Sequence, residues 1–568
     1  MNGRAAGVVV VAGLVLAVAL GAWTCGSGGA DGDPWDDDRG ADSGGWEASE
    51  RDAAGDQGAV RDAGPDLPPE REENPDLRVP RASNRFVYMS NTVADNVVVI
   101  DSVTLAVELV GVGDAPAALE ALGTLDAAAV INRGSDSVSL IRTMAIGESV
   151  VSEEMVAPDT NALSVSPTGL YGVTWYDVAA AGSAPLPPGL QDVSLLEFDS
   201  DAVRVRVVQT TVASRPVEIE WSDDGRTAFV VAKHHVCIVE FETLDESLPR
   251  CVGFGMVSTN PEDPWAPMVA RRVDEVDVSG DGRLAVLRTD DSERIAVLDL
   301  SDDAIVEVVL PAVPSDLDLA GDGTFALAAM RGLGQIARID LADPAAPEVY
   351  VADVRGLLAG QITISPDGTR ALIFSSVSRE EVPGALTEVL GVLDVADATI
   401  SPVPLEKEVR AIGITPDGEY AVVIHRKNSG NPDDPALHPV DDIEERIDRS
   451  YGFSLVHIRT GRVSLQITPT DPGPFLLYQD AREGIHKAFV TLRDDAARIR
   501  EVRVADLRTF TVRTTLLGSP PASIGVAPGS RKVFVGQDHA TGRITFLDAR
   551  DGSARTVTGF QINDWIVE

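Results

Sequence analysis

Residues that usually hold transition metals or form nucleophile and base pairs are scarce in this sequence. It has three cysteines and seven histidines among 568 residues, and the histidines are too scattered to predict a zinc, copper or haem site. His234 and His235 are adjacent, but neighbours along a strand point to opposite faces. The sequence contains no Gly-x-Ser-x-Gly, Cys-x-x-Cys-His, phosphate-loop or His-Glu-x-x-His motif, so its motifs predict no reaction class.

Aromatic and basic residues are also few. Aromatic side chains make up 5% of the chain against 44% apolar residues, so Val, Leu, Ile and Ala must fill the core, which suits closely packed sheets. Forty-seven basic residues against 89 acidic ones leave a net charge of −42. A field of that sign repels nucleic acid phosphates and anionic membrane surfaces, so nucleic acid is a poor partner and cations or basic partners are favoured.

The first 25 residues have the organisation of an export signal. Arg4 precedes an apolar run over residues 5–20, and Gly-Ala-Trp-Thr-Cys follows, ending at Cys25. This order is typical of a signal peptide, although the run is also about as long as a short, uncleaved anchor helix. Cys25 stands where a bacterial lipoprotein carries its acylated cysteine, whereas Trp23 departs from the small residues of that site. We expect an exported outer-membrane lipoprotein facing the periplasm or the cell surface, with an ordinary cleaved or membrane-spanning terminus as the alternative.

Residues 26–84 differ in composition from the rest of the chain. They are rich in Asp, Gly, Ala, Pro and Arg, and residues 26–80 hold 16 acids and 5 bases with almost no periodic apolar positions. Such a segment cannot bury enough apolar surface to fold, so we expect a disordered acidic linker. A flexible segment of this length would hold the folded part away from a membrane.

If Cys25 carries a lipid, Cys237 and Cys251 remain as an even pair in a compartment that permits disulfides. Cys237 lies in a predicted strand over residues 235–241 and Cys251 in another over 250–254, with a polar turn between them. This arrangement places the two cysteines across adjacent antiparallel strands, and we expect them to be bonded. Two buried free thiols are the alternative.

From residue 85 onward one structural unit recurs. An alternating strand leads through a Ser/Thr-x-Asp-Gly turn, or a close variant, to a second apolar strand, a variable loop, a third strand ending in Asp, and a fourth strand. The turn is found at 222–225, 279–282, 320–323, 365–368 and 415–418. Asp-Gly supplies the positive φ angles of a tight hairpin, and the terminal Asp of the third strand is predicted to cap the next turn. These terminal residues are Asp101, Asp199, Asp299, Asp340, Asp394, Asp506 and Asp548.

The spacing of the turn glycines indicates a β-propeller. Successive turn glycines, from Gly225 to Gly418, are separated by 57, 41, 45 and 50 residues, close to the period of propeller blades. Nine complete units follow from first-strand signals at Leu119, Leu163, Ile219, Val276, Leu317, Ile362, Ile412, Leu477 and Ile524. A partial unit over 85–110 precedes them without a first strand, and a lone C-terminal strand over 561–567 would complete it. We therefore predict an all-β propeller of four-stranded antiparallel blades over residues 85–568, with about ten units by sequence and fewer blades as the alternative.

The first unit resembles a known repeat family. Val-Tyr-Met-Ser-Asn at 87–91 is followed by Asn-Val-Val-Val-Ile-Asp at 96–101 and Gly-Val-Gly-Asp-Ala-Pro at 111–116. These segments resemble the Tyr-Val-Thr-Asn (YVTN) family of bacterial propeller repeats, and later units keep less of the motif. The resemblance implies a propeller fold. Relatives range from surface-layer and periplasmic binding proteins to propeller lactonases and redox-enzyme domains, so it implies no single function and provides no catalytic residue.

Four long insertions are predicted to lie on one face of the ring. They are residues 177–191, 257–271, 376–388 and 426–450, and each joins a second strand to a third or one blade to the next. Antiparallel strand order brings both kinds of connection to the same end of every sheet. Loops that grow on one face of a rigid scaffold favour recognition, with uncommitted insertions as the alternative. The aromatic candidates for binding on this face are Trp175, Tyr176, Trp265 and His425.

Paired acids on three consecutive first strands form the most suggestive chemical pattern. Four and two residues before the turn stand Glu218 and Glu220, Glu275 and Asp277, and Asp316 and Asp318, with Glu120 as a further contributor. First strands are innermost in a propeller, so we expect these carboxylates near the channel. Crowded carboxylates repel unless a cation or raised pKa values relieve them, which favours Ca²⁺ or another divalent cation as a ligand. The alternative is that the acids face water or pair with Arg410, Arg271 and Arg272.

Two hypotheses for the function follow. The first is a non-enzymatic binding or scaffold protein of the cell envelope that recognises a protein, peptide or glycan through the long-loop face. The second is a metal-dependent propeller hydrolase or lactonase that uses Glu218, Glu275 and Asp316 at the channel mouth. The sequence identifies no cofactor for either, apart from the divalent cation of the second.

Overall fold

The computed structural model describes residues 81–560, apart from 124, 183–185, 188, 245–247, 259–267, 272, 290–291, 355, 379–386 and 429–442. Ten four-stranded antiparallel sheets follow one another along this part of the chain. Each sheet keeps its strands in chain order, and the sheets are the blades of a ten-bladed propeller, numbered here from the N-terminus. The predicted all-β class, the four-stranded unit and the count of ten are confirmed.

Blades 1 to 3 contain twelve strands: β1 (Arg81–Ala82), β2 (Phe86–Asn91), β3 (Asn96–Asp101), β4 (Val107–Gly111), β5 (Pro116–Ala121), β6 (Ala127–Asn132), β7 (Ser137–Thr143), β8 (Ser149–Met155), β9 (Ala162–Val165), β10 (Tyr171–Trp175), β11 (Asp192–Asp199) and β12 (Arg204–Thr211). Blades 4 to 6, with a two-stranded ribbon between blades 4 and 5, contain β13 (Pro216–Trp221), β14 (Thr227–Ala232), β15 (His235–Glu240), β16 (Arg250–Gly253), the ribbon strands β17 (Met256–Ser258) and β18 (Met268–Ala270), β19 (Glu275–Val278), β20 (Leu284–Arg288), β21 (Arg294–Asp299), β22 (Ala304–Val309), β23 (Asp316–Leu319), β24 (Phe325–Met330), β25 (Gln335–Asp340) and β26 (Glu348–Asp353).

Blades 7 to 10 contain β27 (Gln361–Ile364), β28 (Arg370–Phe374), β29 (Val389–Asp394), β30 (Thr399–Pro404), β31 (Val409–Ile414), β32 (Tyr420–His425), β33 (Tyr451–His457), β34 (Arg462–Thr468), β35 (Pro472–Asp480), β36 (Ile485–Asp494), β37 (Ile499–Asp506), β38 (Thr511–Leu516), β39 (Pro521–Ala527), β40 (Lys532–Gln537), β41 (Arg543–Asp548) and β42 (Ala554–Thr558). Two short helices, α1 (Val178–Ala181) and α2 (Ile443–Asp448), and two 3₁₀ turns, Phe241–Thr243 and Arg331–Leu333, complete the described structure. Neither α-helix is long or apolar enough to cross a bilayer, in the part of the chain that the structure describes.

Second strands are, in most blades, the most deeply buried strands. The second strand of blade 2, β6, is buried along its whole length, and so is β24 of blade 6, whereas the outermost strand β8 is mostly exposed. Small and β-branched residues let neighbouring sheets approach closely, as the low aromatic content predicts. Ten apolar clusters result, and each is shared by two neighbouring blades. The core is therefore a series of interfaces arranged round the ring.

The predicted turn chemistry is present. Turn glycines such as Gly225 and Gly368 have φ angles of 67° and 68°, which disfavour residues with a Cβ. In the first of these turns Asp224 Oδ1 accepts hydrogen bonds from the Ser222 hydroxyl at 2.7 Å and from the Arg226 N–H at 3.0 Å. All seven terminal Asp residues of third strands likewise accept a backbone N–H two or three residues further on. The motif therefore closes hairpins and caps turns.

Blade 10 packs against blade 1, and the described first strand of blade 1 comes from the residues just before β2. Arg81–Ala82 pairs with β2 as the first strand of blade 1, so this blade is complete in itself. The predicted partial unit was wrong because a strand of two residues, lying before residue 85, shows no alternation. Phe534 and Phe546 of blade 10 pack on Val98 of blade 1 in one cluster. The predicted closing strand, 561–567, lies outside the described residues.

Candidate functional site

The loops between second and third strands and the connections between blades lie on one face of the ring, the long-loop face. Strands within each blade are antiparallel and in chain order, so both kinds of connection leave the same end of a sheet. Residues 177–191, 376–388 and 426–450 join second to third strands in blades 3, 7 and 8, and residues 257–271 join blade 4 to blade 5. The strand ends that bound the four insertions thus all lie at this face, while residues 183–185, 188, 259–267, 379–386 and 429–442 of the insertions are outside the described residues.

The insertion between blades 4 and 5 forms the ribbon of β17 and β18, which pairs with no blade sheet. Arg271 fastens its base: the backbone N–H donates to Gly255 O at 3.0 Å and Nε donates to Phe254 O at 3.1 Å. The buried Arg271 guanidinium also pairs with Glu307 of blade 5, with 2.5 Å between Nη2 and Oε1. The ribbon is therefore held to the ring at its base.

Apolar side chains of the ribbon face solvent. Met256, Met268 and Val269 are 55%, 56% and 44% exposed. Apolar residues exposed together on one small element are typical of an interaction surface, and flexible methionine side chains adapt to the shape of a partner. Sequence reasoning missed these residues, although Met268 inside the insertion and Met256 directly before it were a usable signal in a chain with only seven methionines.

The insertion of blade 8 is fixed to the ring through a buried lysine. Lys407 Nζ donates to the carbonyl oxygens of Ile447 at 2.7 Å and Asp448 at 2.8 Å, at the C-terminal end of α2. Burial lowers the pKa of Lys407 to about 8, and nearby carboxylates act in the opposite direction. Arg426 Nη2 donates to Ser376 O and so joins the insertions of blades 7 and 8.

The structure does not place the predicted aromatic anchors at the surface of the long-loop face. Trp175 and Tyr176, at the end of β10, are 7% and 5% exposed. His425 is fully buried at the end of β32. Trp265 lies outside the described residues. The three described side chains are therefore part of the core beneath the insertions, because the ends of β10 and β32 are still buried.

His425 is neutral and hydrogen-bonded on both ring nitrogens. Nδ1 lies 3.1 Å from Glu408 O, and Nε2 lies 2.7 Å from the Ser454 hydroxyl. Because a carbonyl oxygen only accepts, Nδ1 donates and Nε2 accepts from Ser454. Burial lowers the pKa of His425 to about 4, with the neighbouring Lys407 charge acting in the same direction.

The acids on the first strands of blades 4 to 6 bridge neighbouring blades. Four of them accept a backbone N–H from the first strand of the next blade. These carboxylate bridges are Glu220 with Val278 (3.2 Å), Asp277 with Leu319 (3.1 Å), Asp316 with Ile362 (2.7 Å) and Asp318 with Ile364 (2.6 Å). The donors lie on the inner edge of each sheet, where no further strand pairs. The acids therefore supply acceptors for backbone N–H groups that no neighbouring strand can bond.

Other acids of the set form ion pairs. These pairs are Glu275 with Arg288 and Glu120 with Arg81, the latter with 2.9 Å between Oε1 and Nη2. The arginines that the sequence offered as partners lie elsewhere: Arg271 pairs with Glu307, Arg410 pairs with Asp471 at 2.7 Å, and Arg272 is outside the described residues. Two of the acids therefore do pair with arginines, but not with the arginines that the sequence suggested.

Burial raises the pKa of two bridging carboxyls well above the usual range. For Glu220 burial is the main cause, and the Glu218 charge adds to it. For Asp277 burial is again first, followed by the charges of Glu275 and Asp318. A protonated carboxyl still accepts an N–H through its carbonyl oxygen, so the bridges do not depend on charge.

The predicted metal centre does not assemble among these acids. In the residues that the structure covers, no three His, Cys, Asp or Glu side chains are placed to hold a metal ion. One oxygen of each bridging carboxylate accepts a backbone N–H, and Glu275 pairs with Arg288. Glu220 Oε1 is buried without a hydrogen-bond partner among the described residues. The hypothesis of a metal-dependent hydrolase therefore gains no support from Glu218, Glu275 and Asp316.

Cys237 of β15 and Cys251 of β16 form a disulfide, as predicted. The two residues are directly opposite in the antiparallel pair, and Cys237 is buried in the cluster between blades 3 and 4. The bond ties the short outermost strand of blade 4 to its neighbour just before the chain enters the ribbon.

No protein-family model and no curated protein matches the chain. Among solved structures it is similar to dihydro-heme d1 dehydrogenase NirN in complex with DHE, at 14% identity and a TM-score of 0.39 over 68% of this chain and 77% of that one. A putative 6-phosphogluconolactonase from Bacteroides uniformis is similar at 14% identity and a TM-score of 0.35, over 61% of this chain and 95% of that one. The β-propeller domain of Cps50 (Swd1) from Myceliophteria thermophila is similar at 12% identity and a TM-score of 0.30, over 56% of this chain and 91% of that one. Similarities this distant carry no argument about function.

Proposed function

We propose that this protein is a non-enzymatic binding or scaffold protein of the bacterial cell envelope that engages a protein, peptide or glycan through its long-loop face. The exposed apolar side chains of the ribbon, Met256, Met268 and Val269, carry this proposal. A partner that covers them removes apolar surface from water, and this favours a protein or peptide over a glycan. The ring supplies a rigid support on which the insertions are fastened by Arg271 and Lys407.

The location in the envelope is part of the proposal. Residues 1–25 have the pattern of a signal peptide, Cys25 stands at the position of a lipidated cysteine, and residues 26–80 have the acidic, Gly- and Pro-rich composition of a linker. The disulfide between Cys237 and Cys251 is in keeping with an oxidising compartment outside the cytoplasm. A lipid on Cys25 would anchor the chain while the linker lets the long-loop face reach a partner.

Site-specific photo-crosslinking in the native envelope tests the proposal. A photoreactive residue replaces Met268 on the long-loop face or, as a matched control, Val103, which is 53% exposed between β3 and β4 on the opposite face. We expect crosslinks to one defined envelope component from position 268 only. Equal crosslinking from both positions, or none from position 268, would contradict the proposal.

A further inference from the structure

A cavity of about 640 Å³ lies beside blade 9 at the long-loop face. Pro469 from the connection between blades 8 and 9 forms one side, and the start of β37 and the end of β38 form the others. Three arginines line it, Arg498, Arg500 and Arg503, together with a single acid, Glu501. An arginine-lined cavity is unexpected in a chain with a net charge of −42.

The acid of the cavity is already neutralised. Arg503 donates to Glu501 Oε1 from Nε at 3.0 Å and from Nη2 at 2.6 Å. Arg498 is exposed, and its guanidinium forms no ion pair with any residue in the described ranges. The lining side chains therefore carry a net charge of about +2, from the arginines other than Arg503.

Arg500 has a donor that the protein does not use. Its Nη1 donates to Gly518 O at 3.2 Å, while its Nε is buried and has no acceptor among the described residues. Asp495 interacts electrostatically with Arg500, but it accepts a hydrogen bond from Arg493 Nη2 at 2.7 Å. The pKa of Asp495 is lowered mainly by Arg493 and only last by Arg500. Buried donors nearly always have an acceptor, so the Nε group points to an anion or water in the cavity.

Blades 9 and 10, which surround the cavity, carry a positive net charge like the cavity itself. Residues 472–558, blades 9 and 10, contain 13 basic and 9 acidic residues, a net charge of +4. Residues 216–353, blades 4 to 6, contain 10 basic and 28 acidic residues, a net charge of −18. A positive region on an otherwise acidic ring concentrates anions at the cavity.

Apolar groups complete the wall. Leu516, at the end of β38, is 79% exposed, and Ile499 and Leu517 lie beside it. We propose that the cavity binds an organic anion in which a carboxylate or phosphate is attached to a short aliphatic chain. The guanidinium groups of Arg498 and Arg500 receive the charged head, because arginine bonds carboxylate and phosphate through paired N–H groups, and the leucines cover the chain. This site is independent of the partner proposed for the ribbon.

Isothermal titration calorimetry on the intact mature protein tests the site with four probes. Octanoate and octyl phosphate carry both features, octanol lacks the charge, and inorganic phosphate lacks the chain. We expect binding of octanoate or octyl phosphate, at least tenfold tighter than octanol and inorganic phosphate, and weakening as salt is added. The preference between octanoate and octyl phosphate identifies the head group. Equal affinity for octanol, or no binding of either amphipathic anion, would overturn the proposal.

Variants locate the binding on the arginines. Arg498→Gln combined with Arg500→Gln should weaken binding at least tenfold, and Arg498→Gln alone, at an exposed turn, should weaken it without affecting the fold. Arg513→Gln is the matched control, since Arg513 is exposed on the neighbouring strand β38 and does not line the cavity. Unchanged affinity in the double variant, or equal loss in the control, would refute the assignment.

Discussion

Removing one carboxylate bridge should loosen the first strand of the next blade. Asp316 is 5% exposed, and its Oδ2 accepts the Ile362 N–H at 2.7 Å. Ile362 itself is 2% exposed, so Asp316→Ala leaves this N–H without an acceptor where water hardly reaches. Leaving a buried N–H without an acceptor costs about 1–3 kcal/mol.

That loss translates into faster amide exchange at the strand. Because about 1.4 kcal/mol corresponds to a factor of ten, local opening of β27 should become roughly 10- to 100-fold more frequent in the Ala variant. Hydrogen–deuterium exchange mass spectrometry on a peptide covering Gln361–Ile364 measures this rate directly. The same peptide should be unaffected by substitutions of surface acids elsewhere on the ring.

Asp316→Asn is the control, since it keeps an acceptor oxygen and removes only the charge. We expect its exchange rate at Gln361–Ile364 to stay close to that of the wild type. If the Ala and Asn variants accelerate exchange equally, the charge of Asp316 and not its hydrogen bond protects the strand. If neither accelerates it, the carboxylate bridges contribute nothing to the ring.

Three further predictions concern pH, the disulfide and metal. The folded-state pKa of His425, about 4, lies below the ordinary value of 6.5. The free energy of unfolding should therefore fall by roughly 3 kcal/mol as the pH decreases from 6.5 to 4. In urea titrations at these pH values, His425→Gln should flatten this dependence. Cys237→Ala with Cys251→Ala opens a loop with a sequence separation of 14 and should cost about 3 kcal/mol, seen as faster exchange in blade 4. Adding Ca²⁺ or a chelator should leave the melting temperature unchanged, because no three carboxylates of the described residues are placed to hold a metal ion; a clear shift would restore the metal hypothesis.

Most of the fold was predictable because its signals repeat. Turns such as that at Gly368 recur in five consecutive blades, and all nine predicted first strands are found, as the example of Ile362 in β27 shows. The first strand of blade 1 was not predictable, because Arg81–Ala82 is too short for any pattern and pairs only through its contact with β2. Closure of the ring is a long-range packing event, which local periodicity does not report.

The site was predictable only in part. The position of the insertions follows from strand order, and the disulfide from the cross-strand position of Cys237 and Cys251. The role of the acids does not follow from spacing alone, because each bridge depends on how closely two blades approach, as between Asp277 and Leu319, 42 residues apart. The depth of His425 was likewise hidden, since a strand end can continue into the core or leave it.

The most direct test compares two double variants in one assay of binding to native envelope components, measured by quantitative co-sedimentation. Met256→Ser with Met268→Ser changes the ribbon, and Glu218→Gln with Asp316→Asn changes the inner-strand acids. Burying a methionine side chain contributes about 1.5 kcal/mol or more, so we predict that the ribbon variant binds about 100-fold more weakly while the acid variant binds like the wild type. Loss of binding in the acid variant, with the ribbon variant unaffected, would contradict recognition through the long-loop face.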